Sequence, residues 1–521
     1  MKNRICSIDN TVLPVGWVAS THRKSIFNVI ILILITLMIS CSSVEKPAKD
    51  IAITSAEPEE PFSNSLVYIE ISVTPYDTMQ PWKRAQSVKI AANGTAVGSD
   101  LVITTADAVA DASVIQIKRY GQNEFLNAER RVVDYDLNLC LIKITDEMPE
   151  PLEPVTFSEA FEQNADLTCR WLSASNQITQ GRGFLDRAKM FSCPTSFQKI
   201  FCYIVSNASR QTTRGELYCK DIDPIGIAFT SGDNECAIIP AETINRFLAA
   251  AQSETYAGFG TQGFETYELL DPTVRKYLKM PEDMKSGVYV SHVYSRGTGR
   301  DVLRPGDALL AIDGHELNAY GRFYHEEYDR LSLEYLIQQH PAGDPVTFEV
   351  WRDGRRIELS AACERFESAD MLVPYQEFDR QPEYLVTGGF VFQKLTRPYM
   401  QLWGDNWPGK VPPHLFHYYR DLSLKPTEDR SEIVILSYVL PAPVNQGYQQ
   451  LGRIVVSKCN GTDIKDMTSF KEALENPADP RFNVIEFEMD NPKVVIPLQN
   501  LGPMDNQINT LYGITQPIHI N

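Results

Sequence analysis

Between His22 and His292 this 521-residue chain has no histidine. Imidazole is the side chain whose unperturbed pKa lies nearest neutral pH, so that stretch lacks the commonest general base. It also lacks the commonest nitrogen ligand for zinc, and no CxxC or Cys/His spacing replaces it, so no metal is expected. GxxxxGK[ST] does not occur and no GxGxxG follows a strand, so no nucleotide and no cofactor are expected. Positive charge is short: 49 Lys and Arg face 67 Asp and Glu, a net charge of -18. A nucleic-acid surface needs clustered Lys and Arg, and anionic lipid attracts basic segments, so both partners are disfavoured. Solubility is the plain reading of the charge.

Long apolar runs are confined to one place, Val29 to Ile39, behind the basic flank His22-Arg23-Lys24. That run is short for a membrane span and has signal-peptide proportions. It ends at Ser40-Cys41 and resembles a bacterial lipoprotein signal, which would make Cys41 the acylated N-terminus, although Met38 stands where Leu is usual. An uncleaved anchor or an ordinary signal peptide is the alternative. Each implies export, and the resemblance implies a bacterial cell-envelope lipoprotein facing the periplasm, held to the membrane by its lipid alone. Residues 1–41 are thus a signal segment. Residues 42–64 are polar, acidic and Pro-rich, the composition of an extended tether.

What remains is ordinary globular composition, 43% hydrophobic and 22% charged, long enough for three or four domains. Eight cysteines follow Cys41, six of them between residues 140 and 236. An oxidising compartment permits disulfides among them, and buried free thiols are the alternative. Short β runs such as Leu66–Val73, Val114–Ile117 and Leu139–Ile144 suggest a barrel or sandwich.

The order Asn93-Gly94-Thr95-Ala96-Val97-Gly98, then Val102-Ile103-Thr104-Thr105-Ala106-Asp107-Ala108-Val109, resembles the catalytic-histidine region of HtrA/Deg-like, trypsin-like serine proteases. Tyr135-Asp136-Leu137-Asn138-Leu139-Cys140-Leu141 resembles the strand whose Asp orients that histidine. Pro224–Phe229 and Ala237–Pro240 resemble strands of the second barrel. Carried over by position, Asp107 stands where the histidine belongs, Asp136 matches the acid, and Thr212–Cys219, with Arg214 in it, replaces the glycine-rich serine loop. That loop supplies both nucleophile and oxyanion donors, so the resemblance implies a degenerate triad at Asp107, Asp136 and Arg214. Thr213 or Cys219, with Lys220 as base, is the alternative for a rearranged, active serine-type endopeptidase.

Val302-Leu303-Arg304-Pro305-Gly306-Asp307-Ala308-Leu309-Leu310-Ala311-Ile312-Asp313-Gly314 resembles the PDZ core signature. Gln262, Gly263, Phe264 and Glu265 fall at its carboxylate loop, whose N–H groups receive a peptide C-terminus while the peptide adds as a strand. Leu331–Ile337 is expected as the helix beside the groove, with Leu333 and Leu336 facing the peptide. Thr387-Gly388-Gly389-Phe390 begins a second unit, whose Tyr384–Phe392, Leu395–Tyr399, Val434–Leu440 and Val444–Tyr448 resemble the second PDZ of Deg proteases.

The expected fold is mainly β: a chymotrypsin-like double β-barrel (65–252) followed by two α+β PDZ domains (256–365 and 380–505) and a tail (506–521). The resemblance implies a pseudoprotease that binds peptide C-termini or unfolded envelope proteins as chaperone, adaptor or scaffold. It also implies an oligomer, either a trimer-based homo-oligomer or a hetero-oligomer with an active Deg paralogue.

Overall fold

The structure is a computed structural model describing residues 60–207, 213–231, 235–489 and 491–521. Cys41, the signal segment and most of the tether lie outside the described residues. Six strands, β1 (Leu66–Val73), β2 (Val88–Ala96), β3 (Leu101–Thr105), β4 (Ala112–Arg119), β5 (Phe125–Asp134) and β6 (Leu139–Ile144), close a first barrel. Alternation drives it: Val67, Ile69, Ile71 and Val73 of β1 are buried while Tyr68, Glu70 and Ser72 between them are half exposed. A single helical turn, α1 (Ala106–Val109), follows β3.

The second barrel closes from β7 (Asp166–Leu172), β8 (Ile178–Ser192), β9 (Lys199–Asn207), β10 (Leu217–Lys220), β11 (Asp223–Ser231) and β12 (Glu235–Pro240), with α2 (Ala241–Ala250) after it. Ile103, Leu139 and Leu141 of the first barrel share one apolar cluster with Leu172, Ile200, Ile227 and Ile239 of the second. Shared burial of this kind fixes the barrels against each other.

The next module contains β13 (Phe264–Glu268), α3 (Pro272–Tyr277), β14 (Val288–Val293), β15 (Ala308–Ile312), β16 (His315–Glu316), β17 (Arg322–His325), β18 (Asp329–Ser332), α4 (Glu334–Gln338), β19 (Pro345–Arg352) and β20 (Arg355–Ala362). Its main sheet runs β13-β14-β15-β19-β20, so β13 is an edge. The module is seated on the second barrel. Phe201 and Tyr203 pack against Tyr328, Phe201 also packs against Tyr335, and Glu242 accepts hydrogen bonds from Tyr328 (2.8 Å) and Tyr335 (3.1 Å).

The last module contains β21 (Tyr384–Thr387), β22 (Phe390–Lys394), α5 (Arg397–Gln401), α6 (Pro413–Leu422), β23 (Val434–Val439), β24 (Ile454–Cys459), β25 (Thr462–Asp463), α7 (Met467–Glu475), β26 (Phe482–Phe487), β27 (Val494–Pro497), α8 (Leu501–Tyr512) and β28 (Ile518–His519). Residues 506–521, expected as a tail, belong to it: Ile508 is buried and β28 pairs with β21. The β1–β2 loop reaches this module, where Gln393 and Gln381 donate to the Thr78 and Pro81 carbonyls (2.9 and 3.0 Å) and Trp82 packs on Tyr384.

No disulfide forms among the described residues. All eight described cysteines are buried, and burial pushes the Cys219 and Cys459 thiols up to about 12, which leaves those two inert at neutral pH.

Candidate functional site

The β3–α1 turn, the residue before β6 and the loop before β10 meet at one place. Asp107 sits on α1 and its carboxylate takes a hydrogen bond and ion pair from the Arg214 Nε. Two of the positions read from sequence are therefore brought together, as an acid–base ion pair and not as a base beside a nucleophile.

Asp136 is elsewhere. Its Oδ1 accepts from Ser196 Oγ (2.6 Å) and its Oδ2 from Arg365 Nε (3.2 Å). The residue that holds Asp107 is Asn138: its Oδ1 accepts the Asp107 N–H (2.8 Å), and its backbone carbonyl accepts the Ala106 N–H (3.1 Å). The orienting position read onto Asp136 thus lies two residues later, on a neutral side chain. The strand register could have found it, because β6 starts at Leu139 and Asn138 immediately precedes it.

Asp136 belongs to a buried charge cluster with Asp134, Arg365 and Tyr256. Arg365 lies 3.5 Å from Asp134 and 3.2 Å from Asp136, and Tyr256 donates to Asp134. Desolvation, aided by the Asp134 charge and opposed by Arg365, pushes the Asp136 carboxyl up to about 6.

The loop before β10 holds Thr213 by its neighbours. Glu216, fully buried, accepts both the Thr213 N–H (3.0 Å) and the Thr213 hydroxyl (2.6 Å), and Asn93 Nδ2 donates to that hydroxyl (3.2 Å). Gly215 donates its N–H to the Ala228 carbonyl (2.8 Å). Its φ is +79°, and a Cβ there would lie 1.9 Å from the Asn93 carbonyl oxygen, so only glycine fits. Described histidines are engaged elsewhere: His340 with Asp313, His414 with the Arg453 carbonyl, His417 with Asp421, and His292, His315, His325 and His519 against aromatic rings.

A second candidate is the groove between β13 and α4, a cavity of about 500 Å³. Gln262, Phe264, Glu265, Thr266 and Tyr267 line one wall and Glu334 and Gln338 the other, with Phe197, Gln198 and Lys199 of the second barrel beside them. Gly263, between Gln262 and Phe264, does not itself line the cavity. Leu333 and Leu336 do not face the groove. They are 3% and 5% exposed and pack into the core, because the chain stays extended through Ser332 and only then turns into the short α4. The polar i, i+4 pair Glu334 and Gln338 takes the groove side.

The corresponding edge of the last module is closed. Thr387 pairs with Phe390 across Gly388-Gly389, both at positive φ, so the expected carboxylate loop is the tight turn of a β21–β22 hairpin. β22 is paired with β21 on one side and β23 on the other. The Gly388 N–H already meets a carboxylate, Asp505 Oδ1 on α8, at 2.7 Å.

Two closed six-stranded barrels followed by PDZ-like modules define a chymotrypsin-like double-barrel fold with PDZ domains. The PDZ domain family model PDZ_3 matches residues 373–518. "Putative protease Do-like 3, mitochondrial" of Arabidopsis thaliana is 22% identical over 421 residues, 79% of this chain and 72% of that protein. "Protease Do-like 2, chloroplastic" of the same plant is 24% identical over 463 residues, 87% and 74%. Among solved structures, "HtrA-type protease AlgW with decapeptide" aligns at a TM-score of 0.44 and 16% identity, over 58% of this chain and 96% of that one. Over most of its length the chain is similar to HtrA/Deg-like, PDZ-containing proteases.

Proposed function

We propose that this protein is a pseudoprotease: an HtrA/Deg-like scaffold that holds peptides or unfolded proteins in its first PDZ groove without cutting them. The observation that carries this reading is the Asp107–Arg214 ion pair. A serine-type mechanism needs a neutral base at that point to take a hydroxyl proton, and a carboxylate bound to a guanidinium is a very poor one. The Thr213 contacts support the same reading. In a serine protease the nucleophile's own N–H helps to stabilise the oxyanion, whereas here that N–H is bonded to the buried Glu216.

The alternative is an active endopeptidase that uses Thr213. The 2.6 Å bond from its hydroxyl to Glu216 is the feature in its favour. The same carboxylate also grips the Thr213 N–H, which suits a locked turn better than a proton acceptor. Incubation with unfolded casein tests the two: no cleavage is expected. Turnover that vanishes in Thr213→Ala would establish the endopeptidase.

We place the protein in the bacterial cell envelope, facing the periplasm and anchored through Cys41. It acts there as chaperone, adaptor or scaffold, either as a trimer-based homo-oligomer or with an active Deg paralogue. Metabolic labelling with a fatty acid checks the anchor, since Cys41→Ser should abolish incorporation. Light scattering on the purified protein checks the assembly.

A further inference from the structure

Beside the β17–β18 hairpin of the first PDZ module lies a cavity of about 480 Å³ that shares no lining residue with the β13–α4 groove. Its charged lining is Lys285, Arg322 and Arg330 against one carboxylate, Glu316, with His315 and Tyr324 alongside. The β13–α4 groove has the opposite balance, Glu265 and Glu334 against Lys199. In a chain of net charge -18, three cations around one concave surface run against the charge of the whole.

The hairpin fixes two of these cations on one face. Arg322 pairs with Ser332 and Tyr324 with Arg330, so the side chains of 322, 324 and 330 point the same way. Phe323 and Leu331, on the other face, are each 1% exposed and packed into the core, which holds the arginine face outward. The turn into β17 is locked as well. Asn318 Oδ1 accepts the Tyr320 and Arg322 N–H groups (2.9 and 3.1 Å), and its own N–H donates to the Arg322 carbonyl (2.8 Å). Arg322 and Arg330 are then diagonal neighbours, with backbones roughly 7–8 Å apart.

Other arginines of this module have carboxylate partners: Arg300 with Glu364 (2.9 Å), Arg352 with Asp307 (2.7 Å) and Arg356 with Glu349 (2.8 Å). Among the described residues Arg322 and Arg330 have no ion pair and no side-chain hydrogen bond. Lys285 Nζ donates to the Glu282 carbonyl (2.5 Å) and meets no carboxylate. The hairpin's own acid, Asp329, pairs with His325 and by alternation lies on the Phe323 face. Like charges set side by side cost stability, and an anion between them removes that cost. Guanidinium forks match the oxygens of phosphate two at a time. A carboxylate brings a single charge to three cations, whereas a phosphate monoester or diphosphate brings about two or more. The cavity is also of the size that holds a small molecule.

We propose that this cavity binds a small phosphorylated ligand, a phosphate monoester or diphosphate, whose oxygens bridge Arg322 and Arg330 with Lys285 beside them. The probe is inorganic pyrophosphate, titrated calorimetrically into the full chain at about 0.15 M ionic strength, where long-range attraction is screened. Saturable binding at one site per chain is expected. The double variant Arg322→Gln, Arg330→Gln should weaken it at least about tenfold with Tm unchanged, since both side chains are exposed. Lys276→Gln, which removes an exposed cation of α3 outside the cavity, should stay within about twofold of the native chain. The absence of saturable heat, or an equal loss in Lys276→Gln and the double variant, would overturn the proposal. So would a chain that ignores pyrophosphate yet prefers phosphatidylglycerol vesicles to phosphatidylcholine ones, because the cations would then face a lipid surface. Either failure leaves the peptide-binding reading of the β13–α4 groove standing.

Discussion

In the first PDZ module the strand after the loop, β13, stands at the edge of its sheet. In the second, β22 is flanked by β23 on one side and by β21 on the other. The second module supplies internally what a ligand would supply: a strand beside the groove strand, and the Asp505 carboxylate at the loop N–H. An edge strand with unpaired polar groups invites another chain, and folding a hairpin against it removes the invitation. One sheet plan thus yields an open edge and a closed one, and the distinction lies in the β21–β22 hairpin that turns at Gly388 and Gly389.

The strongest way to test that contrast is to damage the closed edge. Phe392 of β22 is fully buried and packs on Phe470 of α7 with ring centroids 4.6 Å apart. Phe392→Ala should lower stability by about 3–5 kcal/mol, read by denaturant unfolding. A loss below about 1 kcal/mol would mean that this edge is not part of a packed core.

The modules also differ in how they are tied to the barrels. The β1–β2 loop reaches the second module through amide hydrogen bonds and Trp82, whereas the chain after the first module places Arg365 against the buried pair Asp134 and Asp136. Asp136 titrates at about 6 in the fold, against roughly 3.9 when unfolded, so folding favours its protonated form. Its contribution to stability is complete below pH ~4 and is lost as pH rises through about 6. Asp136→Asn cannot suffer that loss, so it should gain on the native chain by up to about 2 kcal/mol between pH 4 and 7. Parallel unfolding curves across that range measure the gap. A gap that does not change with pH would remove the charged tie from the comparison.

At the open edge the expected effect is on binding. Thr266→Pro removes a groove-facing N–H without breaking a ladder bond to β14. Affinity for an extended peptide should fall about tenfold, near 1.4 kcal/mol, with Tm nearly unchanged.

Much of this was written in the sequence, though unevenly. The Gly306-Asp307 and Asp313-Gly314 turns and the alternating runs of β1 and β6 announce themselves, because backbone geometry restricts which residues can occupy them. Leu333 and Leu336 show the limit of that reasoning: an apolar helix position marks the face turned to the core, and a groove lined by Glu334 and Gln338 leaves no hydrophobic trace. Asp136 was legible as a carboxylate but not as a partner of Arg365, which lies 229 positions along the chain. Tyr384-Leu385-Val386-Thr387-Gly388-Gly389-Phe390-Val391-Phe392 has the two-residue pattern of a hairpin, and that local signal, not the loop signature, decided the outcome.

The smallest expected effect bears on the Asp505 contact. Its carboxyl is raised by burial and lowered by the Gly388 and Thr387 hydrogen bonds, with burial the larger cause. Asp505→Asn keeps an oxygen acceptor for the Gly388 N–H and removes a charge that the fold disfavours, so stability should change by less than about 1 kcal/mol. Binding is the more telling readout. If the internal carboxylate alone blocked the second module, neutralising it would expose a new peptide site and raise the stoichiometry from one peptide per chain to two. With β21 still paired along β22, the expected stoichiometry stays at one, because a ligand strand has no free edge to join. A second site in Asp505→Asn, seen by calorimetric titration, would mean that the two modules differ by one side chain and not by a strand.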